Sequence, residues 1–121
     1  MVTWFEIPVI DMDRAKSFYE KVFEIEIAIH KVEGLQMGWF PNKNVTGEVT
    51  GSLILAGDHY KPSEDGVMIY FSCSDVANEI SRVEDAGGKV LSKKTQISEE
   101  HGYMAYFVDS EGNRISLHSL R

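Results

Sequence analysis

Glu6, Tyr70 and His118 are the side chains of this 121-residue chain best suited to proton chemistry, and strand alternation points all three to one face. A carboxylate, a phenol and an imidazole sharing a cleft can exchange protons with a substrate or orient a ligand by hydrogen bonds. Glu6 and His118 are the candidate catalytic bases. The plainer alternative has Glu6 bonded to Arg114 or a backbone amide, with His118 a half-exposed strand residue. Around them Trp4, Trp39, Ile54 and Met68 offer aromatic and apolar surface, while Ser52, Arg114 and Ser116 offer polar anchors. That mixture is typical of a small-molecule pocket. The remaining candidates are weaker. His30 reads as surface, His59 and His101 fall in polar loops, and Cys73 reads as a small core residue rather than a nucleophile. Trp39 and Tyr106 either stack on a ligand or pack in the core or a dimer contact.

These positions follow from the elements that carry them. In residues 3–10, Phe5, Ile7 and Val9 alternate with Trp4, Glu6 and Pro8, which predicts a first strand. Asp11 then caps a helix from Met12 to about Phe23, whose Met12, Ala15, Phe18, Tyr19, Val22 and Phe23 recur at three- and four-residue spacing. Strands are predicted over 26–31, 35–40 and 52–55, with a turn at Glu33 and Gly34. The polar stretch 57–66 reads as a linker. Beyond it come a strand over 67–73, a helix capped by Asp75 and stopped at Gly87, a strand over 90–93, a loop over 94–102, and strands over 103–108 and 113–119. Asp109, Ser110, Glu111, Gly112 and Asn113 form a tight turn between the last two.

Each half thus reads β-α-β-β-β, and the halves superpose in sequence. A shift of 64 residues takes Trp4 to Met68, Glu6 to Tyr70, Asp11 to Asp75 and Ser52 to Ser116. Shifting by 67 takes Met37, Trp39 and Phe40 to Met104, Tyr106 and Phe107. The expectation is one domain of two repeated units, about 1–57 and about 67–121, joined by a linker at about 58–66.

Composition narrows the partners. The formal charge of −7, from 12 basic and 19 acidic residues, gives a phosphate backbone no concentrated basic face, so nucleic acid is not an expected partner. That acidity would suit a cationic ligand, or simply solubility. No apolar run approaches the roughly 18 residues of a membrane span. A lone cysteine and an N-terminus without a basic, cleavable leader point to the cytoplasm.

Four stretches share one further pattern: Phe5 to Phe23 with its Phe18-Tyr19 pair, Val83 to Val90 with its Gly87-Gly88 stop, Phe107 to Asn113, and Ile115 to His118. In this order they resemble the vicinal oxygen chelate superfamily, which includes glyoxalase I, bleomycin-resistance proteins and extradiol dioxygenases. The resemblance implies an α+β fold of two βαβββ modules forming a U-shaped cleft, usually within a homodimer. In metal-using members one residue each from strands 1, 4, 5 and 8 supplies His or Glu ligands. Carried onto this sequence, those positions are Trp4, Ser52, Met68 and Ser116. An indole, a thioether and two hydroxyls do not suit Zn, Ni, Mn or Fe, so no metal and no other cofactor is expected.

The reading that joins these observations is a metal-free protein binding a small molecule in the cleft of a homodimer. Its alternatives are a lyase, isomerase or dioxygenase of the same superfamily, using Glu6 and His118 or metal ligands placed elsewhere, and an interaction module with a vestigial cleft.

Overall fold

The computed structural model describes residues 1–121. Along the chain run β1 (Phe5–Pro8), α1 (Met12–Phe23), β2 (Ala28–Val32), β3 (Leu35–Pro41) and β4 (Val49–Leu55), followed by β5 (Tyr70–Ser72), α2 (Val76–Ala86), β6 (Lys89–Ser98), β7 (Gly102–Val108) and β8 (Arg114–Ser119). Each half folds its four strands into a sheet, in the orders β1-β4-β3-β2 and β5-β8-β7-β6. The β1–β4 and β5–β8 pairs are parallel and the others antiparallel. This is an α+β architecture of two βαβββ units, and neither sheet closes into a barrel.

Local chemistry accounts for the helices. Asp11 holds extended backbone, and its Oδ1 accepts from the Arg14 N–H at 3.0 Å, satisfying a donor at the start of α1. Asp75 does the same for the Ala77 N–H at 2.9 Å. Left-handed backbone stops both helices, at Glu24 and at Gly87. The apolar stripe of α1 is wholly buried, as are Val76, Ile80 and Val83 of α2. Together with Ile7, Val9, Ile27, Phe40, Leu53, Ala105, Phe107, Ile115 and Leu117 they form one core of 18 buried residues drawn from both halves. The helices also meet directly, where Arg82 Nε donates to the Val22 carbonyl at 2.8 Å. No backbone pairing joins the sheets, but Phe5 and Phe71 touch edge to face with ring centres 5.6 Å apart.

The tight turn between β7 and β8 works across the halves. Its Asp109 accepts from the Glu111 and Asn113 N–H groups and from the Tyr19 hydroxyl at 2.6 Å. Asn113 Nδ2 donates to the Pro8 carbonyl at 2.9 Å. Glu111 reaches the start of α1, where Oε1 accepts from the Ile10 and Asp11 N–H groups at 2.8 Å and Oε2 takes the Arg14 Nε–H at 2.7 Å.

Two elements depart from the sequence expectation. The stretch 94–98, expected as loop, continues β6 against Tyr103 and Met104 of β7. This strand lies at the sheet edge and is bulged at three places, so it keeps no apolar alternation for a pattern to reveal. In contrast, β5 is paired only over Tyr70–Ser72, and Val67, expected within that strand, is 94% exposed. The other strands shift at their ends by a few residues.

Burial alone would raise the Glu111 carboxyl; the bonds from Arg14 and from the Asp11 and Ile10 N–H groups outweigh it and hold the pKa below the ordinary value. A depressed carboxylate pKa adds stability above the unfolded value of about 4.3 that disappears as pH falls through the folded value. Glu111→Gln is therefore expected to destabilise the protein at pH 7 by about 1–3 kcal/mol. It should also flatten the acid limb of stability below about pH 4.3. Urea melts of both proteins at a series of pH values check this.

Candidate functional site

On the face of each sheet turned away from the helices, the strand register assembles matching rows. Glu6 lies beside Ser52, and Ser52 beside Trp39. In the second sheet Tyr70 lies beside Ser116, and Ser116 beside Tyr106. The next rows are Pro8, Ile54 and Met37 in the first sheet, and Ser72, His118 and Met104 in the second. Glu6, not Trp4, is thus the neighbour of Ser52, and Tyr70, not Met68, the neighbour of Ser116; the tiers expected from sequence are offset along β1 and β5.

A cavity of about 550 Å³ opens between β1 and residues 66–69. Apolar walls come from Trp4, Phe5, Ile7, Met68, Ile69 and Ile115. Its polar groups are Glu6, Tyr60, Lys61, Ser63, Asn113 and Arg114. Of the residues nominated from sequence, Trp4, Glu6, Met68 and Arg114 line it, whereas Trp39, Ser52, Ile54, Tyr70, Ser116 and His118 do not. Tyr60, Lys61 and Ser63 were missed because the linker has neither periodicity nor a motif. It is held in place by hydrogen bonds: Ser63 N–H donates to Asn113 Oδ1 at 3.2 Å, and Arg114 N–H to the Ser63 carbonyl at 3.4 Å.

The excluded residues have other occupations. Ile54 packs with Met37 and Ala56 into a small second core, against which Trp4, Leu35 and Trp39 rest, so part of the first sheet's outer face is filled by its own side chains. Trp4 meets Trp39 edge to face, with centres 6.3 Å apart, and His30 stacks on Trp39 at 3.8 Å. His30 is exposed, as expected, and its ring ends an aromatic row. His118 Nε2 bonds the His101 carbonyl at 2.6 Å, which makes that nitrogen the protonated one. Glu6 and His118 are consequently not brought together in the cavity. Tyr70 is exposed, and Ser52, Ser116 and the Trp39 Nε1 are buried without a hydrogen-bond partner.

The donor set that the fold suggests for a metal fails on its chemistry. Ser52 and Ser116 keep buried, unpartnered hydroxyls, and whether Trp4 and Met68 or their register neighbours Glu6 and Tyr70 complete the set, it supplies at most one carboxylate and no imidazole or thiolate, too few of the donors that divalent transition metals require. Nor do any three His, Cys, Asp or Glu side chains lie together as a ligand group.

Glu6 is engaged instead by the linker, its Oε1 accepting the Tyr60 hydroxyl proton. Partial burial and then the Glu6 carboxylate push the Tyr60 phenol well above its ordinary value, because the phenolate would be poorly solvated beside a negative charge. Cys73 is not poised as a nucleophile either: burial, then Glu79, pushes its thiol up to about 12.

The family model of the Glyoxalase/Bleomycin resistance protein/Dioxygenase superfamily matches residues 2–117. Among solved structures, the chain is similar to TnmS3, an antibiotic binding protein from Streptomyces sp. CB03234, with a TM-score of 0.67, 24% identity and coverage of 98% of this chain and 94% of that one. A glyoxalase-related enzyme from Fulvimarina pelagi superposes with a TM-score of 0.71 at 15% identity, covering 98% and 87%. Glyoxalase I from Zea mays gives 0.72 at 17% identity, covering 98% of this chain but 44% of the maize protein. Comparison with curated protein sequences found no match.

Two of the five tyrosines, Tyr19 and Tyr60, should therefore ionise late in an alkaline absorbance titration, Tyr19 through burial and then Asp109. Glu6→Gln is expected to bring one of the late pair back towards about 10. An unchanged titration would show that the Tyr60–Glu6 bond does not form in solution.

Proposed function

The chain belongs to the Glyoxalase/Bleomycin resistance protein/Dioxygenase superfamily, and from that footing we propose that it is a metal-free binding protein for a small organic molecule. One observation carries the reading. Trp4 and Met68, one from each half and the residues onto which the resemblance carries two metal-ligand positions, line the same apolar-walled cavity. At those positions the chain offers contact surface where chemistry would need donors. A volume of about 550 Å³ lies in the range of ligand pockets. The antibiotic-binding description printed for TnmS3 supports a sequestering role within this fold.

Acid-base catalysis by Glu6 and His118 is less well supported, since Glu6 is taken by Tyr60 and His118 by the His101 carbonyl. The proposal extends to a homodimer, supported by the exposed Val2 and Val67 beside the cavity, and to the cytoplasm, supported by the free thiol of Cys73. No nucleic acid is proposed as partner, given the net charge of −7, and no membrane partner; no helix is long and apolar enough to cross a membrane.

Calorimetric titration of chelator-treated protein with Zn, Ni, Mn and Fe(II) is expected to show no stoichiometric uptake; tight uptake of any of them would return metal-assisted chemistry to the front. In parallel, a fragment library screened by thermal shift should yield ligands whose affinity falls about tenfold in Trp4→Ala. In Met68→Trp, which fills the cavity, binding should be lost. Hits indifferent to both substitutions would dislodge the cavity as the binding site. Sedimentation equilibrium is expected to give twice the 13.7 kDa chain mass.

A further inference from the structure

The charge balance of the cavity opposes that of the whole protein. Its ionisable lining comprises Glu6, Lys61 and Arg114, with Tyr60 held as the neutral phenol. Glu6 already accepts a hydrogen bond from Tyr60. Arg114 has no such partner. Its guanidinium lies over the Tyr106 ring, 4.8 Å from the centre, its Nε is buried without a hydrogen-bond partner, and none of the four ion pairs includes it. Lys61 belongs to none of those pairs either. A half-buried guanidinium in a cavity wall without an ion-pair partner is best met by an anion presenting two oxygens to its fork.

From this geometry we infer that the cavity takes an amphipathic organic anion, with a carboxylate, sulfonate or phosphate on Arg114 and an aromatic or apolar body against Trp4 and Met68. The inference rests on the binding role proposed above and names the ligand class for it. Arg114 is preorganised for that task. The Tyr106 ring supports the guanidinium, and the Arg114 backbone N–H is tied to the Ser63 carbonyl. Asn113 contributes no free donor, because its side chain is already bonded to Ser63, Pro8 and Asp109. The acidity of the rest of the chain keeps the protein soluble without setting the sign at the site; at close range the unpaired guanidinium dominates.

Two dyes with the same aromatic body separate the terms: 8-anilinonaphthalene-1-sulfonate, an anion, and N-phenyl-1-naphthylamine, its neutral counterpart. Fluorescence titration of the folded protein is expected to show one sulfonate dye per chain, bound more tightly than the neutral one. Arg114→Gln should weaken the anion by about tenfold or more and leave the neutral dye within about twofold, while Arg114→Lys restores part of the loss. Near-ultraviolet circular dichroism checks that the variants are folded. Should Arg114→Gln not fold, the comparison of Arg114→Lys with the native protein and the salt dependence of sulfonate binding carry the test. Equal affinity for the two dyes, or equal loss of both in Arg114→Gln, would overturn the anion inference and leave the cavity standing. If neither dye binds, the cavity reading falls with it.

Discussion

A buried carboxylate at the start of α1 is the contact on which the arrangement depends. Helices leave their first N–H groups without partners, and here Asp11 satisfies only one of them from within its own half. Glu111, from the other half, takes the two N–H groups that lead into the helix and pairs with Arg14. Its side chain is fully buried, so these bonds form in a medium where an unpaired carboxylate would be costly. In the same turn Asp109 receives the hydroxyl of Tyr19 from the middle of α1. One five-residue turn therefore sets where the first helix sits against the second sheet. The same turn borders the cavity, where Asn113 lines the wall between β1 and residues 66–69.

Much of this architecture was legible because it obeys simple periodicities. The helix α1 was read to its ends from Asp11 and six apolar positions, and the 64-residue shift anticipated the equivalent places of Ser52 and Ser116. Where the reading failed, the signal was missing for physical reasons. An edge strand such as β6 pairs on one side and bulges, so it need not alternate. The linker carries Tyr60 to Glu6, yet a contact spanning 54 residues leaves no local pattern. Sequence alternation, with the repeat, put Ser52, Ser116 and His118 on the faces turned from the helices, and the register sets Ser52 and Ser116 in equivalent rows there. Alternation could not foresee that Ile54, Met37 and Ala56 would pack among themselves, or that the His101 carbonyl would occupy His118.

The two halves differ in chemistry more than in geometry. Their rows superpose as Glu6, Ser52, Trp39 and Tyr70, Ser116, Tyr106, with serine at the centre of both. The first sheet fills its outer face with an apolar cluster and an aromatic row ending in His30. From the second comes a cation stacked on a ring. The indole and thioether in the cavity wall can surround a small molecule but not polarise it as a metal would.

The first half bonds α2 at its far end, where Lys21 donates to the Asp85 carbonyl at 3.1 Å, but not at its start as Glu111 does for α1. The Val76 N–H of α2 is received by Ser119, a residue of its own half. At the helix starts the dependence is one-sided, and it spans 97 to 101 residues of chain. A ribosome delivers the N-terminal half first, so α1 emerges with its entry donors open to water and its Tyr19 hydroxyl without Asp109. Only when the β7–β8 turn has been made can that helix be locked. The earlier half of the molecule is thus finished by the later one, and its lasting structure is a property of the completed chain.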